Sequence, residues 1–233
     1  MQQLEQLGLY WDEEVVYQSN RLDYYQAALE KLDSINSTFS CYCTRKEIAD
    51  RVYPGTCRKE FKSDNTVHST RIKTDNSPVG ITDLLQGEYS QKLQLETGDF
   101  IIKRADGYFA YHLATIIDDA SQNITEVVRG LDLLESTPRQ VYLQKQLGLP
   151  TPRYLHLPVA IDTSGKKISK SGNAQAITAN NNINILFNAL TFLGLNPPEQ
   201  LFQTDVESVL NWGVTNWDIT KLPEKKEIIA TYS

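Results

Sequence analysis

YLHLPVAIDTSGKKISKSGN, residues 154–173, joins an apolar run to a loop rich in lysine and serine. The first eight residues have the length and composition of a buried strand. Ligands of open α/β sheets bind beyond the carboxyl ends of strands, and this loop lies at such an end. Lysine ammonium groups and serine hydroxyls there suit a phosphate leaving group. The alternative is a solvated lysine-rich loop.

Elements upstream of this loop alternate between strand and helix. DFIIKRADGYFAYHL (99–113) predicts a strand, an Asp-Gly turn and the start of a helix, and ITEVVRG (124–130) predicts another strand. STPRQVYLQKQLG (136–148) predicts a helix capped at Thr137 and ended by Gly148. SNRLDYYQAALEKLDS (19–34) predicts a further helix, with Ser19 or Asn20 as its cap. This order indicates an α/β fold with a parallel sheet, followed by short helices over 181–214.

Composition and charge limit the classes of protein that fit. The 233 residues are 40% hydrophobic and 22% charged, which is ordinary for a soluble globular protein. No apolar run has transmembrane length, and the N-terminal residues do not resemble a secretory signal. We therefore expect a cytoplasmic protein without membrane partners. The net charge of −6 means that any nucleic-acid binding must use a local basic patch.

All three cysteines fall within CYCTRKEIADRVYPGTC, residues 41–57. Their clustering around a C-x-C pair favours a zinc site over scattered core thiols, and a reduced, metal-free cluster is the alternative. A fourth ligand is then needed, and chemistry alone favours a histidine over a phenol. The nearby candidates are Tyr53, His68, Asp50 and Glu47.

Basic side chains are concentrated around this cluster. Residues 45–73 hold eight lysines and arginines against four acidic residues, in a chain that is negative as a whole. This pattern is consistent with either a solvated surface or a surface that contacts phosphates.

Several motifs together resemble one enzyme class. KISKS (167–171) resembles the K-M-S-K-S signature of class I aminoacyl-tRNA synthetases, with Ile168 in place of methionine. Residues 7–32 and 104–143 resemble the glutamyl and glutaminyl branch of that class. The cysteine cluster is similar to the version in the glutamyl-Q tRNA(Asp) synthetase family, a shortened paralogue of glutamyl-tRNA synthetase.

The resemblance implies a reaction and a set of sites. Glutamate and ATP, with Mg²⁺, would form glutamyl-adenylate, and the glutamyl group would pass to queuosine of tRNA(Asp). Tyr111 and Arg129 match the glutamate-binding residues of the family. The signature loop matches its ATP-binding residues, with Lys170 as the catalytic lysine, and the zinc ligands include Tyr53 in place of His68. The positions carried over are Lys167, Ile168, Ser169, Lys170 and Ser171 for ATP, and Cys41, Cys43, Tyr53 and Cys57 for structural zinc.

The same resemblance predicts the domain organisation. We expect a partial Rossmann-like nucleotide-binding fold, with its first half in 1–40 and its second half in 95–175. A zinc-binding, acceptor-type insertion is expected over 41–94 and a short helical region over 176–233.

The family's H-I-G-H-like motif has no counterpart here, because none of His68, His112 and His156 stands in that setting. We therefore expect about one βα unit to be missing before Met1 and the chain alone to be inactive. The alternative functions are a fragment of a glutamyl-tRNA synthetase and a non-catalytic, zinc-stabilised remnant.

Overall fold

The computed structural model describes residues 1–48, 52–58, 67–168, 181–224 and 226–230. The chain divides into two compact units. The larger unit contains 16–128 and 133–155, and the smaller contains 1–15, 129–132 and 156–233. The helices are α1 (Gln2–Gln6), α2 (Leu22–Ser34), α3 (Arg45–Ile48), α4 (Leu93–Glu96), α5 (Tyr111–Ser121), α6 (Thr137–Leu147), α7 (Asn182–Phe192) and α8 (Val206–Thr215). The strands are β1 (Thr38–Cys41), β2 (Ser69–Ile72), β3 (Pro78–Asp83), β4 (Gly87–Lys92), β5 (Ile101–Lys103), β6 (Glu126–Gly130), β7 (Arg153–Leu157), β8 (Val159–Ile161) and β9 (Glu227–Ile229).

The larger unit packs helices α2, α5 and α6 around one hydrophobic core. Fully buried side chains from different elements meet there, among them Leu32, Ile72, Leu113 and Leu143. Strands β1, β2 and β5 form an antiparallel sheet in that order, and β3 pairs with β4 as an antiparallel hairpin. The sequence pattern predicted the α/β class, but it did not indicate this antiparallel sheet.

Sequence signals predicted the C-terminal end of helix α6 but not the caps at the start of α6 and α2. Helix α6 has Ser136 as its N-cap and Thr137 as its first residue, so the predicted cap at Thr137 is wrong by one position. The helix has Pro138 in its first turn and ends at Gly148, whose left-handed φ of 64° favours glycine. Helix α2 begins after Arg21, so the predicted cap at Ser19 or Asn20 is wrong. These two residues instead belong to a 3-10 turn over Gln18–Asn20, which precedes the helix.

Buried Asp118 ties the start of helix α2 to helix α5 in the larger unit. Its carboxylate accepts hydrogen bonds from Gln18 Nε2 at 2.9 Å, Arg21 Nε at 2.7 Å and the Tyr25 hydroxyl at 2.8 Å. The buried charge is thereby paired and hydrogen-bonded, as a buried charge must be.

The sequence predicted one continuous strand over 154–161, but the structure has two strands there, β7 and β8. Pro158 separates β7, which pairs with β6, from β8, which pairs in parallel with β9. Proline has no N–H to give to a ladder, so it occupies the point where the strand changes partner. The smaller unit also contains α7 and α8, whose apolar faces meet around Leu186 and Val209. No helix in the described ranges is long and apolar enough to cross a membrane.

Candidate functional site: a cysteine cluster and the residues around the lysine loop

The three cysteines come together at the end of strand β1. Cys41 closes that strand, Cys43 follows it, and Cys57 lies in a 3-10 turn over Thr56–Arg58. Their sulfur atoms all lie within 4.8 Å of one another, and Cys43 and Cys57 are 3.5 Å apart. Cys41 and Cys57 are buried. Three thiols at this separation can act as ligands to a single metal ion.

The hydroxyl oxygen of Tyr53 lies against the same cluster. It is 3.4 Å from Cys41 Sγ and accepts a 2.9 Å hydrogen bond from the Cys57 main-chain N–H. A tetrahedral zinc site has S–S edges of about 3.8 Å and S–O edges of about 3.6 Å, from its usual bond lengths. The 3.5 Å between Cys43 and Cys57 and the 3.4 Å between Cys41 and the Tyr53 oxygen are close to these edges. The donor set therefore fits zinc with Tyr53 as the fourth ligand.

The other candidates for the fourth ligand are elsewhere or engaged. His68 packs its ring against Tyr42 at 5.4 Å and is not among the side chains grouped with the cysteines. Glu47 accepts a 2.7 Å hydrogen bond from the Thr44 N–H and caps α3. Asp50 lies outside the described residues.

Burial and hydrogen bonding shift the acid groups of the cluster. Burial, together with the hydrogen bond from Cys41, raises the pKa of Tyr53 well above its usual range. Burial and the contact with Cys57 raise the pKa of Cys43 to about 11. Burial opposes ionisation of Cys57, but hydrogen bonds from Tyr53 and from the main chain outweigh it and lower the pKa of Cys57. Cys57 thus becomes a thiolate more readily than Cys43.

Tyr53 is held by the segment before strand β5. Its main chain forms a bridge with Gly98, and a Cβ on Gly98 would lie 2.6 Å from Tyr53 N and 2.7 Å from Tyr53 O. Asp99, which follows, is buried and ion-paired with Arg58 beside Cys57. Arg71 places its guanidinium carbon 4.1 Å from the centre of the Tyr53 ring.

Tyr111, a predicted glutamate-binding residue, is the first residue of helix α5. Its side chain is 49% exposed, and its ring contacts the edge of His112 at 5.3 Å. A partly exposed hydroxyl at a helix start is available to a ligand, so this placement is compatible with the prediction.

Arg129, the second predicted glutamate-binding residue, is near the carboxyl end of strand β6. Its Nε donates a 3.1 Å hydrogen bond to Nε2 of His156, which is fully buried on β7. That nitrogen accepts the bond, so the imidazole is oriented by the arginine. The sequence analysis missed His156, although a histidine within the apolar run YLHLP was a signal of a buried polar contact.

The lysine loop begins as a tight turn that returns along strand β8. Asp162 accepts hydrogen bonds from Ser164 and Lys166, and Lys167 bridges antiparallel to Ile161. Lys167 Nζ lies 2.5 Å from a carboxylate oxygen of Asp132. Ile168 donates its N–H to the Ala160 carbonyl at 2.9 Å. The predicted positions Ser169, Lys170 and Ser171 lie outside the described residues.

Comparison with known proteins defines the class first. Residues 1–210 match the catalytic domain of class I tRNA synthetases of the E and Q type. The fold agrees, because a glutamate tRNA ligase from Elizabethkingia meningosepticum superposes with a TM-score of 0.76 at 20% identity. That match covers 100% of this chain and 56% of the ligase.

Proteins with similar sequences indicate the family within this class. Glutamyl-Q tRNA(Asp) synthetase of Aromatoleum aromaticum is 42% identical over 97% of this chain and 74% of its own length. The protein of that name from Methylococcus capsulatus is 42% identical over 97% of this chain and 76% of its own. The chain therefore belongs to the glutamyl-Q tRNA(Asp) synthetase family, as the motifs predicted.

Proposed function

We propose that the protein activates glutamate with ATP and transfers the glutamyl group to queuosine of tRNA(Asp). The observation that carries the proposal is Arg129, which His156 orients on strand β6 in a chain of this family. Activation joins a glutamate carboxylate oxygen to the α-phosphorus of ATP and releases pyrophosphate. ATP and tRNA are cytoplasmic substrates, so the reaction is proposed to take place in the cytoplasm.

Arg129 is proposed to bind a carboxylate of glutamate. A guanidinium forms two parallel hydrogen bonds with a carboxylate, and such charge-assisted pairs are stronger than neutral ones. The bond to His156 fixes the plane of the guanidinium before the substrate arrives, which lowers the ordering cost of binding. Tyr111 is proposed to donate a hydroxyl hydrogen bond to the same amino acid.

The lysine loop is proposed to act on the phosphates. Lys167 to Ser171 would contact ATP, whose phosphates would also bind Mg²⁺, and the Lys170 ammonium would stabilise charge on the departing pyrophosphate. Lys167 is already within 2.5 Å of an acidic oxygen of Asp132, so ATP would have to replace that exposed ion pair. Exposed ion pairs contribute little, typically about 0.2–1 kcal/mol, so the exchange is cheap.

One structural zinc ion is proposed to be bound by Cys41, Cys43, Tyr53 and Cys57. Four protein ligands leave no open position for a substrate, so the ion would stabilise the fold and take no part in the chemistry. The spacing of the sulfur and oxygen atoms supports this set. Metal analysis of protein purified without added zinc should find about one equivalent, and folded protein free of metal would contradict it.

Glutamate-dependent ATP–pyrophosphate exchange tests the activation step, in protein that carries the family's H-I-G-H-like unit ahead of residue 1. Arg129→Ala should lower kcat/KM for glutamate by a factor equivalent to about 2–4 kcal/mol. The same variant should change kcat/KM for ATP little. Arg153→Ala is the matched control, because Arg153 forms an exposed ion pair with Glu126 on the neighbouring strands. Equal losses for glutamate and ATP, or equal losses in the two variants, would contradict the assignment of Arg129.

A further inference from the structure

Arg71 is a buried cation that forms no ion pair with a carboxylate in the described part of the chain. It is only 7% exposed. Its Nη1 donates a 2.6 Å hydrogen bond to the main-chain oxygen of Asp99. Its Nε is buried without a hydrogen-bond partner among the described residues. A buried charge left in this state is costly, so something else in the environment must compensate it.

The group that Arg71 faces is the ring of Tyr53. Strands β1 and β2 pair Phe39 with Arg71 and Cys41 with Ser69, so Arg71 lies opposite the strand that ends at Cys41. The guanidinium carbon is 4.1 Å from the centre of the Tyr53 ring, well within cation–π range. The same ring stacks on Phe39 at 6.1 Å. Arg71 therefore contacts directly the side chain whose hydroxyl lies against the cysteine cluster.

The net charge of the proposed zinc site favours a cation at this position. Zn²⁺ with three thiolates would have a net charge of −1. Such a buried anion needs a compensating cation. Among the described residues, Arg58 also lies beside the cluster, but it is paired with Asp99. Within that part of the chain, Arg71 is the buried positive charge available to the cluster.

We propose that Arg71 is the counter-ion of the zinc centre and the positioning residue for Tyr53. It holds the phenol ring so that the oxygen stays at the fourth corner of the site, and its charge offsets the negative charge of the ligands. This inference rests on the zinc centre proposed above. Partners that orient metal ligands typically change metal affinity by about 10–100-fold when they are removed.

Zinc affinity, measured by competition with a chelator of known strength, is the test. Arg71→Gln should weaken zinc binding by about 10–100-fold. Arg21→Gln is the matched control, because Arg21 is a mostly buried arginine of the same unit that pairs with Asp118 instead. It should leave zinc affinity unchanged even if it lowers the stability of the fold. An unchanged affinity in Arg71→Gln would overturn the proposal.

A double-mutant cycle separates a specific effect on Tyr53 from general damage. Tyr53→Phe removes the oxygen but keeps the ring, so Arg71→Gln added to it should weaken zinc binding much less than it does alone. Additive losses would overturn the proposal. In the cobalt-substituted protein, Arg71→Gln should shift the visible spectrum towards that of Tyr53→Phe, whereas a spectrum like that of wild type would count against it.

Arg71→Lys carries the test if Arg71→Gln does not fold. Lysine keeps the charge but not the planar guanidinium whose Nη1 donates to the Asp99 main-chain oxygen, so zinc affinity should stay within about threefold of wild type. A tenfold or larger loss would show that the hydrogen bond, not the charge, is what matters, and would overturn the counter-ion role. Wild-type protein that binds no zinc would instead refute the proposed metal site itself, which keeps the two failures distinct.

Discussion

Gly98→Ala should destabilise the protein because two separate penalties meet at this residue. Gly98 has a φ of +72°, a conformation that costs a residue with a Cβ about 1–2 kcal/mol. The added Cβ would also lie 2.6 Å from Tyr53 N and 2.7 Å from Tyr53 O, and both are main-chain atoms. Overpacking of this kind costs typically about 1–3 kcal/mol, so the free energy of unfolding should fall by about 2–5 kcal/mol in total.

Gly107→Ala isolates the first penalty. Gly107 has a φ of +89°, but nothing lies within 4 Å of the position of its Cβ. Urea denaturation of both variants, each with and without a zinc chelator, gives the comparison. Gly98→Ala should lose about 1–3 kcal/mol more than Gly107→Ala. It should also weaken zinc binding, because Tyr53 must move. Equal losses in the two variants would refute the tight bridge at Tyr53.

Two further variants test the buried carboxylate and the lysine loop. Burial and the hydrogen bond to Asp118 raise the pKa of Tyr25 from 10.0 to about 12, so folding favours the protonated phenol. Its contribution to stability is therefore complete below pH 10.0 and is lost as the pH rises through about 12. Asp118→Asn should lower this pKa in an absorbance titration of tyrosinate, whereas Asp106→Asn, at an exposed site, should not. In protein that carries the family's H-I-G-H-like unit ahead of residue 1, Lys170→Ala should slow pyrophosphate exchange by roughly two to three decades with little change in the KM for ATP, and Lys166→Ala should have far less effect.

Local sequence signals predicted the elements that depend on short-range chemistry. The turn at Asp106-Gly107, the start of α5 and the glycine end of α6 follow from residues within a few positions of one another. The family was also predicted, and the match to the family model confirms it. The three cysteines were predicted to lie together, and they do. The metal and the roles of the site residues remain predictions.

Long-range packing decided what the sequence did not indicate. The antiparallel sheet of β1, β2 and β5 joins strands about 30 residues apart, and no local pattern records such pairing. The division of 154–161 into β7 and β8 depends on which strands lie on either side of Pro158. Residue chemistry alone favoured His68 over Tyr53 as the fourth ligand. The bridge that holds Tyr53 in place is formed with Gly98, which is distant in sequence, so no local pattern could indicate it.

Transfer of radiolabelled glutamate to tRNA tests whether queuosine of tRNA(Asp) is the acceptor. The protein, carrying the family's H-I-G-H-like unit ahead of residue 1, is incubated with ATP, Mg²⁺ and labelled glutamate, together with tRNA(Asp) that contains queuosine, tRNA(Asp) that lacks it, or tRNA(Glu). We expect label only on queuosine-containing tRNA(Asp), and we expect periodate oxidation of the tRNA 3′ end beforehand to leave it unchanged. Label on tRNA(Glu), or on no tRNA while glutamate-dependent exchange proceeds, would contradict the proposed acceptor.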